Sequence, residues 1–208
     1  FNKEPVKFMG RIYKCYHDWK IDEGIALFKE GITIVNKRFA ADPQSEIKDK
    51  GLKLNKAFQI KSTLHTLGGM LYYRKTLASV RKSGLKENQF ILKKMKAGKE
   101  ITHQDLEDLK AKIDKKSMES DDANYLNKAR EEFLSAIKTD AANPSPHFQL
   151  AGVYKSMGDP QSVQAAEKHY YQSARLAVKE GDPKAIARTL DVLKELNPDS
   201  SFIKKLEA

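Results

Sequence analysis

Apolar residues recur along this chain every three to four positions, the repeat of one face of an α-helix, and nowhere alternate with period two over a useful length. Val6, Met9, Ile12, Tyr13 and Tyr16 share one helical face, and Ile25, Phe28, Ile32 and Val35 share a second that Asp42-Pro43 ends. A long helix is predicted from about 45 to 82, carrying Leu52, Phe58, Leu64, Leu67 and Leu71. β-Branched residues are scattered, so no sheet is expected.

The second half is punctuated more sharply. Ser145-Pro146 reads as an N-cap followed by a first helical residue, and Gly158 with Asp159-Pro160 reads as a stop followed by a new start. The signal returns at Gly181, Asp182 and Pro183, and Asn197-Pro198-Asp199 closes that helix and opens a short last one. Helices are predicted near 123–140, 146–157, 161–180, 183–196 and 200–207, with loops short enough to force neighbours antiparallel. Residues 84–120 are rich in lysine and poor in large apolar groups. A helix at 87–97 and another opened by Thr102 as N-cap, with Asp105 at N3 and Leu106, Leu109 and Ile113 as a thin stripe, make this stretch a polar connector or inserted hairpin. The chain thus divides into 1–83, the basic connector 84–120, and 121–208.

Ala129, Phe133 and Ala136 form a row of small, large and small residues, and His147, Leu150, Ala151, Tyr154 and Gly158 follow on the next helix. Ala129 and Ala151 let two backbones approach, while Phe133 and Tyr154 fill the space between layers. The pattern resembles the tetratricopeptide repeat, a helix-turn-helix unit of about 34 residues. Leu150, Ala151 and Tyr154 match its first helix and Ala129, Phe133 and Ala136 the preceding second helix, while His147 stands where an aromatic is usual. Ala166 and Tyr170 continue the pattern only after a three-residue insertion around 159–162, and Leu190, Leu193 and Asn197-Pro198 resemble the end of a later unit. Met9, Gly10 and Tyr13, then Gly24, Phe28 and Gly31, echo it near the start, and Leu64, Leu67 and Gly68 in the middle. The resemblance implies an all-α fold of antiparallel helical hairpins stacked as an irregular right-handed solenoid.

Charge adds a direction to this picture. The net charge of +10 is concentrated early: residues 1–120 hold 26 Lys/Arg against 15 Asp/Glu, and 121–208 hold 12 against 13. Between 51 and 99, twelve Lys and Arg residues face only Glu87, a stretch suited to an acidic partner, nucleic acid or anionic lipid. No run approaches the roughly 18 apolar residues that span a bilayer. The chain opens on Phe1, so a removed leader or anchor ahead of it belongs among the expectations, and the compartment stays open between cytoplasm, periplasm and a membrane tether.

Candidate chemistry is sparse. The lone Cys15 excludes an internal disulfide and a Cys-based zinc site and reads as small apolar filler, and Cys15 and His17 point to different helix faces. His17, His65, His103, His147 and His169 never pair at helical ligand spacing, so no metal site is expected. Glu131, Glu132 and Asp108 read as solvated faces. Gly68-Gly69 has neither a preceding strand nor a following Gly-Lys-Ser/Thr, so it reads as close helix packing instead of a phosphate loop. Tyr72, Tyr73, Arg74 and Lys75 mix rings with bases as single-strand binders do, though core aromatics beside a solvated face account for them more simply. Without a triad, metal spacing or phosphate loop, neither an enzyme nor a cofactor is expected.

The tetratricopeptide resemblance implies partner binding on a concave face built by first helices. Carried over residue by residue, the groove positions are Lys7, Arg11 and Lys14 in the first unit, His65 and Tyr72 in the middle, and Phe148, Gly152 and Lys155 in the clearest one. The chaperone-tail clamp of that family wants Asn and Lys where Gly152 and Phe148 stand, so capture of a C-terminal carboxylate is not expected there. The implied role is a non-enzymatic scaffold, adaptor or assembly factor holding an acidic or amphipathic protein segment. The rival readings are nucleic-acid binding through 51–99, with a strong salt dependence, and a membrane-tethered scaffold touching anionic lipid.

Overall fold

The computed structural model describes residues 4–39, 46–47, 55–98, 101–108 and 122–207. Nine helices make up nearly all of these: α1 (Glu4–His17), α2 (Ile21–Phe39), α3 (Ala57–Lys96), α4 (103–108), α5 (Asp122–Thr139), α6 (Pro144–Met157), α7 (Pro160–Glu180), α8 (Pro183–Leu196) and α9 (Ser201–Glu207). The one departure corrects the expectation of no sheet: β1 (Glu46–Ile47) pairs antiparallel with β2 (Asn55–Lys56) at the foot of α3, far too short to form a core. No helix of the described residues is long and apolar enough to cross a membrane.

Apart from the short α4, helices pack on their neighbours in chain order, α1 on α2, α2 on α3, α3 on α5, and onward to α8 on α9. Among the described residues α1 also meets α3 across α2, α3 meets α6 across α4 and α5, and α7 meets α9 across α8. Two cores result. The larger joins α1, α2, α3, α5 and α6 through Phe8, Ile12, Phe28, Val35, Leu64, Leu71, Phe133 and Leu150; the smaller joins α6 to α9 through Ala151, Ala166, Tyr170, Leu193 and Ile203. α6 serves both, Leu150 and Val153 facing the first and Ala151 the second.

The larger core is organised around Gly68 and Gly69 on α3. A Cβ on Gly68 would lie 2.7 Å from the Phe28 ring of α2, and one on Gly69 would lie 2.7 Å from the Phe133 ring of α5. Adjacent residues on a helix point about 100° apart, so the two glycines open neighbouring slots, each filled by one phenylalanine. Close packing is thus what Gly68-Gly69 provides, as the sequence suggests. Buried Ser62 donates to the Ala136 carbonyl at 3.0 Å, tying α3 to α5 without leaving an unpaired polar group.

α3 differs from expectation at both ends. It begins at Ala57 instead of 45, because 46–47 and 55–56 are committed to the two-residue ladder, and Leu52 lies outside the described residues. It also runs unbroken through 84, so the boundary drawn there falls inside one helix of 40 residues, and the separate helix expected at 87–97 is its last part, ending at Lys96. A lone interior glycine costs only about 1 kcal/mol, and Leu85, Lys86 and Glu87 are good helix formers. Gly98 at φ 66° follows its end, and the Thr102 cap is present: Asp105 N–H donates to Thr102 Oγ1 and Thr102 N–H returns to the Asp105 carboxylate. Lys94, with those Thr102 donors, holds the Asp105 carboxyl down to about 2. Leu109 and Ile113 lie outside the described residues, as do Asp42 and Pro43, and Leu106 is half-exposed.

The C-terminal helices follow their punctuation. Asp159 and Asp182 cap α7 and α8 through their carboxylates, and Gly158 and Gly181 adopt the left-handed conformation after α6 and α7. The expected cap at Ser145 is corrected to Asn143, whose side chain accepts from Ser145 N–H, with Pro144 as the first helical residue. Ala129, Phe133, Ala136, Leu150 and Ala151 are all fully buried, and half-buried Tyr154 touches both cores. In α1, Phe8 and Cys15 are buried, whereas Tyr13, assigned to the apolar face, is 54% exposed and stacks edge-on against His17.

Candidate interaction surface

The corner between α1 and α2 has unusual backbone chemistry. Lys20 N–H reaches back to the Cys15 carbonyl, closing α1 with Trp19 in the left-handed region at φ 58°. Glycine is the usual occupant of that position, and a bulky side chain there is strained. Arg74 of α3 holds the corner. Its guanidinium carbon lies 3.7 Å from the Trp19 ring centroid and 4.2 Å from that of Tyr16, and Nη1 donates to the Tyr16 carbonyl at 2.7 Å. A cation against the last carbonyls of a helix is favoured by the helix dipole, and two ring faces add cation–π attraction.

A groove of 260 Å³ opens beside this clamp, lined by Tyr16 and Trp19, by Met70, Tyr73, Arg74 and Leu77 of α3, and by Gln149 of α6. Its lining is largely apolar, and Trp19 and Leu77 remain 50% and 47% exposed. That exposure marks the groove as surface available for contact. Tyr73 forms the bridge between helices: its hydroxyl meets Ser156 Oγ at 2.7 Å, and Ser156 donates in turn to the Gly152 carbonyl. A second depression, of 410 Å³, is polar and lies between Phe58, Thr63, Asp140, Asn143 and Glu180.

The residues expected to face a common groove are distributed differently. Lys7, Arg11 and Lys14 are exposed and form one stripe, but on α1 they flank the buried Phe8–Ile12–Cys15 row on the side away from Tyr16 and the groove. Tyr72 is buried and stacks on Tyr125 of α5 at 6.3 Å, and His65 donates from Nδ1 to Glu132 at 2.7 Å. Both therefore belong to the α3–α5 contact. Glu132, read as solvated, is instead the partner of His65. Phe148 packs edge-on against Tyr170, with the Arg188 guanidinium 4.1 Å from its ring, and exposed Lys155 lies 3.7 Å from Glu195. These two lie where α6 meets α7 and α8, and Gly152 lies between them on α6 with its carbonyl against Tyr73.

The basic stretch 51–99 is partly committed within the protein. Lys75 pairs with Asp22 and lies 4.6 Å from the Tyr125 ring, Lys94 pairs with Asp105, and Arg74 is clamped. Lys93 and Lys96 are exposed, whereas the side chains of Arg81, Lys82 and Lys86, and all of Lys53 and Lys99, lie outside the described residues.

Two histidines that no helical spacing connects meet between α6 and α7. His147 Nδ1 and His169 Nδ1 are 3.0 Å apart, and Tyr154 stacks on His169. One nitrogen must donate and the other accept, so the contact requires at least one neutral ring. Burial, with the neighbouring His169, pushes His147 down to about 4, and burial lowers His169 as well. Among the described residues no third His, Cys, Asp or Glu joins them as a metal-holding group.

Met70, Leu77, Gln149 and above all Trp19 were not singled out by periodicity. The available signal was local: the chain's single Trp stands in a three-residue turn between two helices, where a small residue is usual. In comparisons with protein-family models, curated proteins and solved structures, the chain matches none.

Proposed function

We propose that this chain is a non-enzymatic scaffold with a tetratricopeptide-like, right-handed solenoid arrangement, and that it holds a segment of another protein on the face shared by α1, α3 and α6. In this reading α1 with α2, α3 with α5, and α6 with α7 are successive hairpins. The single observation that carries it is the pattern of skipped contacts, α1 on α3 and α3 on α6, which sets the first helix of each hairpin beside the next. The exposed apolar groove opens on those same three helices. With Lys75 and Lys94 paired internally and the Lys7–Lys14 stripe on another flank, no continuous cationic track supports the nucleic-acid reading among the described side chains.

The test is affinity capture with the wild-type chain and with Leu77→Glu, which places a charge in the groove at a half-exposed site. The expected outcome is a reproducible protein partner that Leu77→Glu loses while its helical content and melting curve match wild type. A partner retained in full by that variant removes this face from consideration.

A further inference from the structure

We propose that the groove beside Trp19 takes a short acidic peptide segment, seating one bulky apolar side chain between Trp19, Met70, Tyr73 and Leu77 and pairing an adjacent carboxylate with Arg74. The proposal deepens the scaffold reading and rests on it.

The chemistry of Arg74 carries the argument. Its guanidinium has five N–H donors in a fixed fork, and among the described residues one is used, by the Tyr16 carbonyl. It lies over the rings of Tyr16 and Trp19, and among the described residues no carboxylate pairs with it. Such a cation stands at the wall of an apolar groove with most of its donors unspent among the described residues, which suits a planar carboxylate. Trp19 adds an independent reason. A bulky residue kept in a strained left-handed conformation leaves half of its surface in water, and strain of that kind gathers at recognition sites. The cavity volume, 260 Å³, lies below the usual range of about 300–1,000 Å³ for small-molecule pockets and suits a protruding side chain. A nucleic-acid strand would need several unspent cations in a row, whereas the neighbouring Lys75 is paired with Asp22.

Trp19 is also the chain's only tryptophan, so its emission reports the groove directly. The probes are two pools of end-blocked hexapeptides, each with one Phe or Leu, flanked by Asp and Glu in the first pool and by Lys and Arg in the second, together with oligothymidine. The acidic pool is expected to shift Trp19 emission to the blue saturably and to bind at least about tenfold more tightly than the basic pool, with the difference shrinking as salt rises. Leu77→Ala weakens the acidic pool and Arg74→Gln erases the preference. Should Arg74→Gln disturb the corner, the comparison of pools on the wild-type chain still decides the matter. Equal response to both pools, no response to either, or a preferential response to oligothymidine overturns the proposal. Loss of a captured partner by Leu77→Glu, combined with failure of the acidic pool, would leave the scaffold face standing and reject this ligand chemistry alone.

Discussion

Gly69 on α3 and Gly152 on α6 both lie inside helices at the contact with a large aromatic residue, yet their surroundings differ. A methyl group on Gly69 would meet the Phe133 ring at 2.7 Å, while one on Gly152 would find nothing nearer than the Tyr170 hydroxyl at 3.9 Å. The first contact is a slot cut to one side chain, with Phe133 fully buried between α3 and α5. The second belongs to a junction where α6 meets α7 through small residues, Ala151 and Ala166, and through a polar contact between two histidines. Close approach is thus achieved by interlocking in one region and by thinning the side chains in the other. The two should respond to mutation with opposite signs.

The largest effect is expected at the interlock. Phe133→Ala empties the slot and should lower stability by about 3–5 kcal/mol, read as a fall in the midpoint of chemical denaturation. Gly69→Ala should destabilise by roughly 1–3 kcal/mol through overpacking, offset in part by the 0.5–1 kcal/mol that alanine contributes to a helix interior. The two changes are coupled. Once Phe133 is truncated, Gly69→Ala should become neutral or stabilising, and a double-mutant cycle in which the two costs simply add would show that the ring does not fill that slot.

What could be read from the chain divides along the same line. Asp159-Pro160, Gly158, Gly181 and Asp182 mark helix ends correctly because capping is settled within four residues of backbone. Ala129, Phe133, Ala136, Leu150 and Ala151 are legible as core because burial follows helical period. Periodicity places a residue on a face but does not say which helix that face meets. Tyr72 and His65 accordingly fall in the α3–α5 contact, while Trp19 and Arg74 come together from residues 55 apart in sequence. The pairing of His147 with His169 across two helices is hidden for the same reason. The continuous α3 was obscured by Gly84, a weak signal that neighbouring helix formers override.

The polar junction supplies the next prediction. His147 is neutral when folded down to about 4, whereas an imidazole in the unfolded chain takes up its proton near 6.5. The unfolded state therefore binds more protons between those values, so stability is full above 6.5, declines as the pH falls, and levels off below about 4. The lowered His169 adds to the same slope. Asp105 and Asp159, both held below the usual carboxylate range, contribute losses only at lower pH, which leaves 6.5 to 5 as the window of the histidine pair. Thermal melts at pH 7.5 and 5 should show the decline in wild type and a reduced slope in His147→Gln, whose amide stays neutral and can still hydrogen-bond His169. An unchanged slope in that variant would mean that other groups set it.

The smallest effect, and the one of opposite sign, is expected at Gly152. Its backbone is ordinary helix within α6, and the nearest atom to an added Cβ is the Tyr170 hydroxyl at 3.9 Å, an ordinary van der Waals separation. Nothing must move to admit a methyl group, so the remaining term is the conformational freedom that glycine has in the unfolded chain and alanine lacks. Gly152→Ala should therefore stabilise by about 0.5–1 kcal/mol. The carbonyl of residue 152 continues to accept from Ser156 Oγ, since that bond involves no side-chain atom of residue 152. Measured beside Gly69→Ala, this variant isolates space from propensity: both substitutions give the helix the same gain, and only one meets a ring. If Gly152→Ala proved as costly as Gly69→Ala, then the space beside Gly152 would be as filled as that beside Gly69, and the contrast between an interlocked region and one thinned by small side chains would fail.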